Sequence, residues 1–84
     1  MKATVKVANP ARGMYGAQTD DGEFVIFELL DSDAPLIGDV VSHPDFHSLG
    51  SEDYRNITQQ VTISVCVQNV VGGLEQAKKQ CFLK

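Results

Sequence analysis

The sequence contains few of the residues that carry recognisable chemistry. Tryptophan is absent, and the aromatic residues are limited to four phenylalanines and two tyrosines. Two cysteines, Cys66 and Cys81, are too few for the disulfide framework of a small secreted fold, and they lack close metal-ligand spacing. We therefore expect two reduced, unbridged thiols.

Long apolar runs are missing as well. No segment approaches the roughly 18 apolar residues that would indicate a membrane span. The first residues, Met1 to Lys6, include two lysines where a secretory signal requires an apolar region. The sequence thus predicts a cytoplasmic protein with no membrane partner.

Basic residues are absent from the middle of the chain. Residues 20–54 hold ten acidic residues and no Lys or Arg, whereas residues 1–19 and 55–84 each carry a net charge of +3. The overall charge of −4 disfavours tight, charge-driven binding of nucleic acid, since phosphate contacts supply most of its non-specific affinity. A local basic surface remains compatible with this distribution.

Size and composition predict one domain over residues 1–84. The hydrophobic content of 43% is ordinary for a globular chain, and 84 residues allow a single core. Ala3, Val5 and Val7 alternate with polar residues, which is the period of a half-buried strand whose apolar face holds all three.

Further strands are predicted between turns. The turns are Asn9–Gly13 and Asp20–Gly22, and the strands after the first are 14–19, 23–30, 36–42 and 60–68. Residues 43–58 have no clear period and are predicted to form a loop with one helical turn at 50–54. After Gly72-Gly73, Leu74, Ala77 and Cys81 have helical spacing. These elements predict an all-β, five-stranded barrel with a short C-terminal helix; an SH3-like barrel is the nearest alternative to an oligonucleotide/oligosaccharide-binding (OB) barrel.

The third strand, 23–30, is apolar on both faces. Taking Glu28 as outward-facing places Phe24 and Ile26 outside, and Val25, Phe27 and Leu29 in the core. The outer pair is explained either by a loop or helix that covers it or by a binding surface.

The first 27 residues resemble the start of a cold-shock domain, an OB-fold that binds single-stranded RNA and DNA. The similar segments are Thr4-Val5-Lys6, Asn9–Gly13, Asp20-Asp21-Gly22 and Phe24–Phe27, which cover about a third of the chain. The family's Trp-Phe pair is replaced by Val7-Ala8, and its strand histidine by Ile26. The remainder resembles short uncharacterised bacterial proteins.

The resemblance implies weak binding of single-stranded RNA or DNA through the first three strands. The expected contact residues are Lys2, Lys6, Arg12, Tyr15 and Phe24, in which the two rings form a reduced stacking surface. The alternative is a protein-interaction or homo-oligomerisation module that uses Phe24 and Ile26 or the apolar side of the terminal helix.

Neither hypothesis involves catalysis. No nucleophile, base and orienting group share a recognisable motif, and no phosphate-binding glycine motif occurs, so we expect no enzyme activity and no cofactor. His43, Asp45 and His47 alternate in the predicted loop, but two histidines without a third fixed ligand are common by chance. A solvated acidic loop is the simpler interpretation, and we predict no metal site.

Overall fold

The computed structural model describes residues 1–83, which form six strands and one helix. The strands are β1 (Lys2–Asn9), β2 (Met14–Thr19), β3 (Phe24–Leu29), β4 (Val40–Ser42), β5 (Gly50–Asn56) and β6 (Val61–Val71), and the helix is α1 (Leu74–Gln80). The sheet closes into a barrel in the order β1-β2-β3-β6-β5-β4, and every neighbouring pair is antiparallel. The predicted all-β barrel with a short C-terminal helix is confirmed.

The number of strands is six rather than five. The additional strand is β5, inside the segment that was predicted to be a loop, and the helical turn expected at 50–54 is wrong. Few of its side chains are apolar, and only Tyr54 and Asn56 are buried, so the sequence gives little indication of a strand. Pairing with β6, from Gly50 opposite Val67 to Asn56 opposite Val61, supplies the regular structure.

Both predicted tight turns are present. In the first, Gly13 has a φ of 66° and its N–H donates to the carbonyl of Pro10. In the second, Gly22 has a φ of 84° and its N–H donates to the carbonyl of Thr19. Glycine adopts this left-handed conformation without the steric cost that a Cβ would bring, which fixes the β1–β2 and β2–β3 connections.

Aromatic side chains fill the inside of the barrel. Tyr15 stacks on Phe27 with ring centroids 5.7 Å apart, and Tyr54 meets Phe27 edge-on at 5.2 Å. Phe46, from the β4–β5 connection, packs edge-on against Tyr54 at 5.3 Å. A barrel filled in this way is a core rather than a cavity, so a ligand would have to bind outside it.

A second apolar layer lies outside the barrel, beneath α1. Phe24 and Ile26 of β3 pack there with Ala77 and Cys81 of the helix, whereas Val25 and Phe27 point into the barrel. The predicted facing of these β3 residues is confirmed, and the outer pair is covered by the terminal helix.

Val7 was predicted to share the inner face with Ala3 and Val5, and that prediction is wrong. The β1–β2 register shifts between Val5 and Val7, so Lys6 is the extra residue of a β-bulge. The bulge reverses the alternation and places Val7 in the layer beneath α1.

The carboxylate of Asp39 links the segments that close the barrel. One of its oxygens, Oδ2, accepts from Asn56 Nδ2 at 2.9 Å, from Gln59 Nε2 at 2.6 Å and from the N–H of Leu36 at 3.0 Å. The Asp39 carbonyl also accepts the N–H of Val5 of β1 at 2.8 Å. One buried residue therefore connects β1, the segment before β4 and the end of β5.

Candidate nucleic-acid interface

The two aromatic residues predicted to stack on bases are both buried. Tyr15 is 1% exposed inside the barrel, and Phe24 is 5% exposed beneath α1. Neither ring presents a face to solvent, so the predicted stacking surface on the first three strands is not present. The interior of the barrel covers Tyr15, and the terminal helix covers Phe24.

The three predicted basic residues are exposed but do not lie together. Lys2 pairs with Ser42 of β4 at the start of β1, roughly 13 Å of extended chain from Lys6. Lys6 projects from the bulge, and Arg12 lies in the turn that follows β1. Lys6 lies near the beginning of α1 and Arg12 near its end. Lys2 lies on another part of the barrel surface.

Lys6 opens onto a groove between the barrel and the beginning of α1. The groove has a volume of about 480 Å³ and is lined by Lys6, Gln18, Gly22, Phe24, Gly72, Gly73 and Leu74. Its three glycines contribute backbone rather than side chains to the lining. Lys6 and Phe24 are the two predicted contact residues that the structure brings together, and Lys6 is the one charged group among the described lining residues.

Phe82 provides an exposed ring at the other end of α1. Its side chain is 61% exposed, and every other aromatic residue within positions 1–83 is buried. The Arg12 guanidinium lies over the ring, 5.1 Å from its centroid, in cation–π contact. Asn9 Nδ2 donates to the Cys81 carbonyl at 2.8 Å and so holds this turn against the end of the helix.

The backbone of Phe82 adopts a conformation that is unfavourable for phenylalanine. Its φ is 64°, in the left-handed region, where it follows the last helical residues and where glycine is usually found. The Phe82 N–H donates to the carbonyl of Lys79, and the Leu83 N–H donates to that of Lys78, which is the Schellman arrangement. A residue with a Cβ costs roughly 1–2 kcal/mol here.

Further cations lie on α1 itself. Leu74 lines the groove beside Lys6, and Lys78 follows it by four residues, so Lys78 lies on the same flank of the helix. Lys78 pairs with Glu75 at 3.8 Å, a surface contact that solvent largely screens. Lys79 is exposed beside it. The surface formed by Lys6, Arg12, Lys78, Lys79 and Phe82 is named the helix face below.

The three possible metal ligands of the β4–β5 connection do not point to a common position. His43 Nδ1 accepts the N–H of Asp45 at 2.9 Å, so its Nε2 carries the proton of the neutral ring and donates to Glu52 at 2.8 Å. His47 contacts Glu23 instead, at 3.0 Å. Across residues 1–83, no three His, Cys, Asp or Glu side chains are grouped to hold a metal ion.

The buried cysteine offers no reactive thiol. Cys66 and Cys81 are both free, as the sequence predicts. Burial under the barrel's outer layer raises the pKa of the Cys81 thiol to about 11, which keeps it protonated and poorly nucleophilic.

Sequence reasoning missed Phe82. The helical spacing of Leu74, Ala77 and Cys81 defines the side of α1 that packs on the barrel, and position 82 lies beyond that pattern. An aromatic residue directly after the last buried helical position, where glycine is favoured, was the available signal.

Comparison with known proteins adds no identity. No family model, curated protein or solved structure matches this chain. In the described part of the chain, α1 is too short to cross a lipid bilayer, and no other helix is present.

Proposed function

We propose that this chain is a non-enzymatic module that binds single-stranded RNA or DNA weakly through the helix face. The observation that carries the proposal is Phe82, an exposed ring held in a strained conformation under a guanidinium. Strained backbone conformations of this kind cluster at binding and catalytic sites. The partner class is the one that the cold-shock resemblance implies. The proposed stacking residue, however, lies at the end of α1 rather than on the first three strands.

The chemistry of the helix face matches the two needs of a single strand. A base stacked on an aromatic ring contributes about 1–3 kcal/mol, largely regardless of its identity. Lys6, near the beginning of α1, and Arg12, near its end, meet the phosphates. The two free thiols are consistent with action in a reducing compartment, and we propose the cytoplasm.

The number of cations limits the expected affinity. Lys78 is paired with Glu75, which leaves Lys6, Arg12 and Lys79. About three phosphate contacts give a slope near −2 in a plot of log K against log salt for a single strand. The acidic segment 20–54 opposes association further. We therefore expect binding that is measurable at low salt and largely lost at moderate salt.

Charge reversal at Arg12 should weaken this binding by about tenfold or more. Arg12→Glu removes a phosphate contact and the cation over Phe82, and it places a carboxylate beside the strand. Fluorescence anisotropy with a labelled oligonucleotide of about 12 residues, titrated at two salt concentrations, measures the loss.

Lys2→Glu is the matched control, because it makes the same change in net charge at an exposed site away from the helix face. We expect it to weaken binding much less than Arg12→Glu does. Equal losses in the two variants, or no binding by the wild type at low salt, would overturn the proposal.

A second candidate function rests on exposed apolar residues elsewhere. Leu36 and Ile37 are each 65% exposed before β4, and Ile57 is 40% exposed after β5. Asp39 joins the two segments, since it accepts from the Leu36 N–H and from Asn56. This patch supports the protein-interaction alternative, whereas Phe24 and Ile26 contact Ala77 and Cys81 of α1 and are not available to a partner.

A further inference from the structure

A second cleft adjoins the exposed ring of Phe82. It has a volume of about 270 Å³ and is lined by Met14, Glu28, Gln68, Gln80 and Phe82, so it lies where β2, β3 and β6 meet the end of α1. It is distinct from the groove at Lys6, with which it shares no lining residue. A planar group in contact with Phe82 would have its edge among the polar side chains of this cleft.

Glu28 is the charged residue among the described residues that line the cleft. It lies on the outer face of β3, between Met14 of β2 and Cys66 of β6. Within residues 1–83 its carboxylate takes part in no side-chain hydrogen bond or ion pair. Both oxygens are therefore free to accept from a ligand.

Both side-chain amides of the cleft keep hydrogen-bonding groups that a ligand can use. Gln68 Nε2 donates to the carbonyl of Cys66 at 3.3 Å, which leaves its oxygen as an acceptor. Gln80 can donate and accept. The cleft therefore presents two carboxylate oxygens of Glu28 together with two amides that can each both donate and accept.

We infer that this cleft selects a guanine base from the bound strand, an inference that rests on the proposed function. Guanine is the base whose Watson–Crick edge carries two adjacent donors, N1–H and the 2-amino group, which match the two oxygens of one carboxylate. Bidentate contacts of this kind discriminate between bases. The ring of Phe82 supplies the stacking surface.

The same carboxylate disfavours the other bases. Adenine and cytosine each present one amino donor beside an acceptor nitrogen, and thymine and uracil flank their single N–H with carbonyl oxygens. An acceptor placed against Glu28 is repelled, and an unpaired oxygen loses its solvent without replacement. Glu28 lowers the affinity for phosphate in general, which is the cost of selecting a base in this position.

The test compares oligothymidylates of about 12 residues that carry one central guanosine, inosine or adenosine. Inosine lacks the 2-amino group and keeps N1–H, so it removes one of the two proposed contacts. We expect the guanosine strand to bind about fivefold or more tighter than the adenosine strand, with inosine between them. Anisotropy at low salt measures all three.

Glu28→Gln should abolish the order of affinities for the three oligonucleotides and raise the affinity for the one that carries adenosine. Glu75→Gln is the matched control, because it removes the same charge from an exposed position on α1 outside the cleft. It should retain the order. Binding of all three strands with equal affinity by the wild type, or an unchanged order in Glu28→Gln, would overturn the guanine site and leave the proposed function standing. Failure of every strand to bind would overturn both.

Discussion

Replacing Asp39 by alanine is expected to lower the free energy of unfolding by about 3 kcal/mol. The substitution removes the acceptor of three hydrogen bonds and leaves Nδ2 of the fully buried Asn56 side chain without an acceptor. Hydrogen bonds to a charged group contribute about 1.5–3 kcal/mol, and a buried donor left unpaired costs about 1–3 kcal/mol. Urea unfolding followed by circular dichroism measures the loss.

Asp39→Asn should lower the free energy of unfolding by less than Asp39→Ala does. Comparison of Asp39→Asn with the wild type should identify the contribution of the charge. Burial raises the pKa of Asp39, but the hydrogen bonds from Asn56, Leu36 and Gln59 together outweigh it and hold that pKa below the ordinary value of 3.8. A depressed folded-state pKa stabilises the fold fully above the unfolded value, and this stability is lost as the pH falls through the folded value. The gap in free energy of unfolding between wild type and Asp39→Asn should therefore narrow as the pH falls from about 5 through the folded-state pKa of Asp39. A gap that stays constant over that range would contradict this role of the carboxylate.

Phe82→Gly is expected to lower the affinity for single strands by about fivefold or more while leaving the fold nearly as stable. Removing the ring forfeits about 1–3 kcal/mol of stacking on a base. Relief of the left-handed backbone strain, roughly 1–2 kcal/mol, offsets the lost cation–π contact with Arg12, about 0.5–1 kcal/mol. Anisotropy titrations and urea unfolding of the same preparation measure the two quantities.

Phe82→Leu separates the ring from its apolar bulk. Leucine keeps a large side chain and the backbone strain but removes the π surface, so binding should fall as it does for glycine and stability should not rise. Phe82→Tyr keeps the ring and should bind like the wild type. If Phe82→Gly binds normally, or if it loses several kcal/mol of stability, the ring is structural and the helix face is misassigned.

The strands with clear alternation and the glycine-containing turns could be predicted from sequence, because local geometry decides them. β5 could not, since its side chains are mostly polar and its strand conformation depends on pairing with β6. The predicted facing of Val7 was wrong because one bulged residue, Lys6, reverses the alternation. Nothing in the sequence indicates that bulge.

The contact residues were harder to predict than the fold. β2 and the first part of β3 are buried on both faces, so periodicity cannot say whether Tyr15 or Phe24 reaches solvent. Arg12 and Phe82 meet only because the first turn packs against the end of α1, at opposite ends of the sequence. Such a pair is a property of the tertiary structure.

The most direct measurement of the proposed function is a nuclear magnetic resonance titration of the ¹⁵N-labelled protein with a short single strand at low salt. The helix face predicts that the backbone signals of Lys6, Arg12, Gly73 and Phe82 shift together in proportion to the fraction bound. The signals of Leu36, Ile37 and Ile57, in the apolar patch, should stay in place. Shifts confined to that patch, or no shifts at any concentration of the strand, would contradict the proposed function.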